Sequence, residues 1–137
     1  MKYTDETRGK VLAPDRAHQF ISFDGLRYGK ISPTDVDGLI EHRGCYIVYE
    51  WKLAGNDLPR GQELALTRLV DDLRRAKRHA VIFLCEHAEH DPTKDVRGAD
   101  AIVKRVYWDG RWHNSGTGKT VKEMTSRFLA FAEDCGT

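Results

Sequence analysis

Apolar positions along this chain fall into short unbroken runs and one stretch of helical spacing, and their succession sets out the expected elements. Asp35 to Glu41 and Cys45 to Lys52 are rich in β-branched, aromatic and aliphatic residues, with only His42, Arg43 and Gly44 between them. That pattern predicts a β-hairpin. Beyond Pro59 and Gly61, Leu66, Leu69, Leu73 and Ala76 recur at spacings of three and four, which predicts a helix from about Arg60 to Lys77. Ala80 to Cys85 (AVIFLC) is a continuous apolar run of strand length, as expected of a strand covered on both faces at the centre of a sheet. Asp109-Gly110 separates Ala101 to Trp108 from Arg111 to His113 and predicts a second hairpin. From Thr120 the chain turns helical: Thr120 and Glu123 form a capping box, and Val121, Met124, Phe128 and Phe131 line one face.

The beginning is less regular. Met1 to Gln19 reads as a short helix and a loop, since Pro14 interrupts any long helix. Phe20 to Phe23, the turn signal Asp24-Gly25 and Leu26 to Ile31 predict an opening strand pair. The order hairpin, helix, buried strand, hairpin, helix combines antiparallel pairs with a helical crossover, so the expected fold is α/β, a mixed central sheet flanked by helices.

The chain has 137 residues, enough for one domain and hence one active site. At 40% hydrophobic and 31% charged residues it has the composition of a folded globule. No apolar run approaches the roughly 18 residues of a membrane span, and Met1 to Lys10 are too polar for a secretory signal; a cytoplasmic location and no membrane partner are the expectation. Cys45, Cys85 and Cys135 are odd in number and lack CxxC spacing, which suits three thiols in a reducing compartment. The formal charge of +1 does not decide for or against a polyanionic partner. The local excess Arg74, Arg75, Lys77, Arg78 and His79 reads first as a solvated helix end complementing the helix dipole, and second as a phosphate contact.

Chemistry concentrates on the first hairpin, whose otherwise apolar runs hold Asp35, Asp37, Glu50 and Lys52. Side chains alternate along a strand, so each pair two residues apart shares a face. If Arg43-Gly44 is a two-residue loop, His42 pairs with Cys45, Asp37 lies across from Glu50 and Asp35 across from Lys52. Like charges directly opposed are destabilising, so Asp37 against Glu50 calls for a shared proton, a neighbouring cation such as Lys52, or a bound divalent metal. Two converging carboxylates suit Mg²⁺, a hard cation that takes oxygen ligands and keeps several waters.

The stretch from Ser32 to Lys52, SPTDVDGLIEHRGCYIVYEWK, resembles the PD-(D/E)XK nuclease motif, in which an acidic residue in one strand precedes a Glu-x-Lys triplet in the next. The triplet here is Glu50-Trp51-Lys52, and Asp37 stands thirteen positions before Glu50, a separation similar to that in Holliday-junction-resolvase-like members. Asp35 is the alternative for the acidic position. The resemblance implies a restriction-endonuclease-like core, with Asp37 and Glu50 (Asp35 in reserve) as ligands of Mg²⁺, for which Mn²⁺ can substitute, and Lys52 positioning or deprotonating the attacking water. It extends to about Cys85, since many members follow the triplet with a helix and a core strand. Gln62, in the first helical turn, matches a Gln of several branches and is expected near the metal or a substrate phosphate. The pattern departs from the family at Val36, where a Pro is usual, with Pro33 nearby. For the acidic residue that many members draw from an N-terminal helix, only Glu6 is available.

The resemblance thus implies a Mg²⁺-dependent endonuclease acting on DNA, branched or otherwise structured DNA included, of the Holliday-junction-resolvase-like or small phage type. A homodimer would present two sites to two strands. The competing readings are a nucleic-acid-binding module that keeps the architecture and cleaves nothing, an interaction protein, and, for the hairpin alone, a solvent-facing surface carrying salt bridges such as Asp35 with Lys52.

Three further signals weigh less. Gly118-Lys119-Thr120 mimics the end of a P-loop, yet His113 occupies the place of the first Gly; a glycine-rich phosphate contact is the remaining sense of it. Cys85, His87, His90 and Asp91 match no common zinc spacing, and the two His read as loop residues beside the active-site edge. Trp108 and Trp112, with Lys104, Arg105 and Arg111 nearby, either pack the second hairpin on a helix or stack on unpaired bases.

Overall fold

Two tight turns organise the sheet. In a computed structural model that describes residues 21–116 and 118–136, Arg43 (φ 53°) and Gly44 (φ 75°) join β1 (Gly38–His42) to β2 (Cys45–Leu53). Asp109 (φ 55°) and Gly110 (φ 79°) likewise join β4 (Ile102–Trp108) to β5 (Arg111–Asn114). Turns with two positive φ angles match the twist of the strands they connect. The register of the first hairpin follows from its turn: His42 faces Cys45 and the pairing runs outward to Gly38 against Tyr49.

Between the hairpins, α1 (Arg60–Arg75) returns the chain so that β3 (His79–His87) lies parallel to β2. The helix stops at Lys77, which adopts φ 65°, while Lys77 N–H and Arg78 N–H donate to the carbonyls of Arg74 and Leu73. This left-handed closure satisfies the last carbonyls of the helix. Arg74 and Arg75, read from sequence as a solvated helix end, pair with Asp109 and Asp72.

Among the described residues, five strands run in the order β1-β2-β3-β4-β5, with β2 and β3 parallel and the other neighbours antiparallel. β3 is therefore central, as its unbroken apolar run implies. Val48, Ile82 and Tyr107 pack under Leu66 and Val70 of α1 on one face. On the other, Ile47, Tyr49, Phe83, Cys85 and Val103 pack with Val121, Met124 and Phe128 of α2 (Val121–Cys135). Thr120 caps α2 with its hydroxyl accepting from Glu123 N–H, the reciprocal capping box expected from the sequence. This is a mixed α/β fold with a helix on each face. No helix among the described residues is long and apolar enough to cross a membrane.

Two expectations need correction. The first strand begins at Gly38 and not at Asp35, for a reason that belongs to the site below. The opening strand pair is absent as a ladder: residues 21–31 hold only a single bridge between Tyr28 and Ile31. Gly25 (φ 83°) and Gly29 (φ 65°) each make a turn, and the residues between them are too few for paired strands. Met1 to Gln19, and Glu6 with them, lie outside the described residues. The chain divides after Pro33 into two units; the sheet and both helices lie in the second, which starts at Thr34.

Candidate functional site

The site begins where the β1–β2 ladder ends. Asp37 is next in register opposite Glu50, but it pairs through side chains instead of main chain. Asp37 Oδ2 accepts the Trp51 N–H at 2.9 Å, and Asp37 N–H donates to Glu50 Oε1 at 3.3 Å. A short carboxylate competes well with a carbonyl for a strand N–H, so the same hydrogen bond that terminates β1 brings the two acids together. The sequence reading put Asp37 inside the strand; it stands one residue beyond it.

Trp51, the middle residue of the triplet, holds this strand end in place from the α2 face. Its ring stacks on Tyr49 (5.1 Å, 10°) and lies against Gly38 and Gly98. A Cβ on Gly38 would come within 3.2 Å of the indole, and one on Gly98 within 2.8 Å. The indole N–H donates to the Gly98 carbonyl at 3.2 Å, tying the connection before β4 to β2. Nothing in the sequence distinguished Trp51 from any other residue between Glu and Lys; the two distant glycines are the only trace of it.

Glu50 is fully buried, at 0% exposure, in the α1-facing set of β2. Its Oε2 has no hydrogen-bond partner. Burial pushes its carboxyl up to about 7, the Asp37 charge adds to the rise, and Lys52 acts in the opposite sense. A buried acceptor without a donor is costly, so the pair needs a proton or a cation to neutralise it.

Lys52 shares the Glu50 face of β2 and donates from Nζ to Gln62 Oε1 at 3.5 Å. Gln62 Nε2 donates in turn to the Asp35 carbonyl at 3.1 Å. The first turn of α1 thus reaches Lys52. Asp35 differs from expectation. It precedes β1, its side chain is exposed, and it meets Gln62 through its main-chain carbonyl. The Asp35–Lys52 ion pair of the surface-hairpin reading does not form, because strand pairing stops before it would face Lys52.

No family model matches this chain, and comparison with curated proteins and with solved structures finds no match. Each acid commits one oxygen to a main-chain N–H, and Glu50 Oε2 is left over. No group of three or more His, Cys, Asp or Glu residues able to hold a metal occurs among the described residues. The protein would supply two carboxylates and solvent the rest, a donor set that fits Mg²⁺ and does not fit a structural zinc. Cys85 is buried in the core, its thiol pushed up to about 12 by burial and then by Asp37 and Glu50, so it is no thiolate ligand. His87 stands near Asp37 in space: it lines an open cavity of about 510 Å³ with Asp37, Trp51, Val96 and Gly98.

Proposed function

We propose that this chain is a Mg²⁺-dependent endonuclease acting on DNA, structured or branched DNA included, built on a restriction-endonuclease-like core of the PD-(D/E)XK kind. The observation that carries the reading is Glu50: a wholly buried carboxylate with a partnerless oxygen, placed against Asp37, with Lys52 two residues along the same strand. A surface hairpin has no reason to bury it. Parallel β2 and β3 with α1 between them, and Gln62 against Lys52, agree with what the family resemblance implies beyond the triplet.

Asp37 and Glu50 would hold the cation. Bound there, Mg²⁺ supplies a lowered pKa for its water and offsets negative charge developing on the phosphate. Lys52, restrained by Gln62, presents its ammonium two residues beyond Glu50, where it orients the water or the scissile phosphate. The strand end is rigid because Trp51 is stacked and hydrogen-bonded, and rigidity of this kind is what positioning catalysis requires.

The test is plasmid nicking in Mg²⁺ and again in EDTA, with wild type, Glu50→Gln and Lys52→Ala. Nicking should occur in wild type with metal only, and fall by at least about a hundredfold in each variant, the scale of a lost metal ligand or electrostatic group. Calorimetry should show metal uptake by wild type and none by Asp37→Asn. Nicking by all proteins alike, or in EDTA, rejects the assignment. Nucleic-acid binding without metal uptake or cutting would instead identify a non-cleaving module.

A further inference from the structure

We propose a second site: the cleft between β5 and the first half of α2 binds an unpaired nucleic-acid strand, with Lys119 and Arg127 on its phosphates and Trp108 stacked on a base. The choice of ligand rests on the nucleic-acid reading above. The cleft itself does not.

A cavity of about 300 Å³ there has His113, Asn114, Ser115, Lys119 and Arg127 as its polar lining, beside Trp108, and no carboxylate. The contrast with a larger cavity, about 720 Å³ at the ends of β3 and β4, decides between them. There Arg97 and Lys104 are already paired with Asp100 (3.1 Å) and Glu86 (3.5 Å), and Glu89 and Asp95 add further negative charge. With four carboxylates against two cations, its lining matches a polyanion less well. Lys119 and Arg127 form no ion pair among the described residues, so their charge is available to a phosphate.

The two cations come from different elements and are held in place by main chain. The Lys119 carbonyl accepts from Val103 N–H at 3.0 Å, and Thr120 bridges Ile102, so the residues before α2 run alongside β4. Arg127 sits on the capped helix that follows. Across the cleft, His113 Nε2 donates to the Trp108 carbonyl at 3.2 Å, which fixes the imidazole 5.6 Å from the indole at 31°. Trp108 itself is 49% exposed. An exposed indole flanked by unpaired cations is the combination that binds single strands, because stacking accepts any base and the cations follow the backbone. A duplex keeps its bases from such a platform. The site faces α2, whereas Glu50 and Lys52 face α1, so substitutions here leave the acidic pair untouched.

The experiment is fluorescence anisotropy with a labelled oligothymidylate and with a duplex of equal length, both in EDTA. Wild type should prefer the single strand. Lys119→Ala with Arg127→Ala should weaken binding and reduce the slope of log K against log salt by about 1.4, at about 0.7 per phosphate contact on a single strand. Trp108→Ala should weaken single-strand binding at least about fivefold and narrow its margin over duplex. Circular dichroism melts confirm that these surface variants fold. Wild-type affinity and slope in the double variant overturn the site, as does no binding by wild type. Mg²⁺-dependent nicking lost in Glu50→Gln would uphold the nuclease reading whichever way these measurements fall. Binding lost in the double variant of a protein that never nicks would uphold this site alone.

Discussion

Glu50→Gln, measured in EDTA, should stabilise the protein at alkaline pH and change little at acid pH. The Glu50 carboxyl sits near 7 in the folded protein against an ordinary 4.5. Between those values the folded state keeps a proton that the unfolded chain releases, so stability falls as pH rises. The contribution of protonated Glu50 is complete below about 4.5 and is lost as pH rises through about 7. Gln matches the neutral acid in shape, still accepts the Asp37 N–H and has no charge to bury. At about 1.4 kcal/mol per unit, the variant should gain about 3 kcal/mol at pH 8, on the order of 10 °C in Tm for a chain of this size. The assay is urea unfolding of both proteins from pH 5 to 8.5. An advantage that does not grow with pH, or a loss at pH 8, would refute the buried-charge account. If the acids bind a cation, Mg²⁺ at pH 8 should raise the stability of wild type and leave Glu50→Gln unmoved.

Gly98→Ala places a Cβ 2.8 Å from the Trp51 ring, which Tyr49 and Gly38 prevent from retreating; it should cost about 1–3 kcal/mol in urea unfolding. Thr120→Ala removes the capping box of α2 and should cost about 1 kcal/mol, read from the same measurement. Leu66→Ala, at a wholly packed position under α1, should cost about 2–5 kcal/mol and lower the urea midpoint without changing the slope.

The elements that the sequence made legible are those with local punctuation. Arg43-Gly44 and Asp109-Gly110 announced both hairpins because a two-residue turn needs positive φ, and the first turn fixed the register of β1 against β2. Thr120 and Glu123 announced α2 through a hydrogen-bond pair that the residues carry with them. AVIFLC marked β3 because only a strand covered on both faces can be apolar throughout. Residues 21–31 failed this logic: two glycine turns close together leave no length for a ladder, although the apolar residues around them suggest one.

The site was legible in its partners and not in its geometry. Counting outward from the turn put Asp37 opposite Glu50, and that adjacency holds; the count assumed that the main chain continued to pair. It does not, because the Asp37 carboxylate takes the Trp51 N–H that a further strand residue would have taken, and Asp35 is thereby released from the sheet. Burial was equally invisible, since a charged Glu is expected to reach solvent even from an apolar strand. Its burial is the fact that sets aside the solvent-facing hairpin. A solvent-facing hairpin would expose Glu50 and pair Lys52 with Asp35, whereas here Glu50 is at 0% exposure and Lys52 turns to Gln62. A fold that keeps a costly, half-satisfied acid beside another acid has given up stability locally, and such concessions are expected where a charged ligand or a reaction later offsets them.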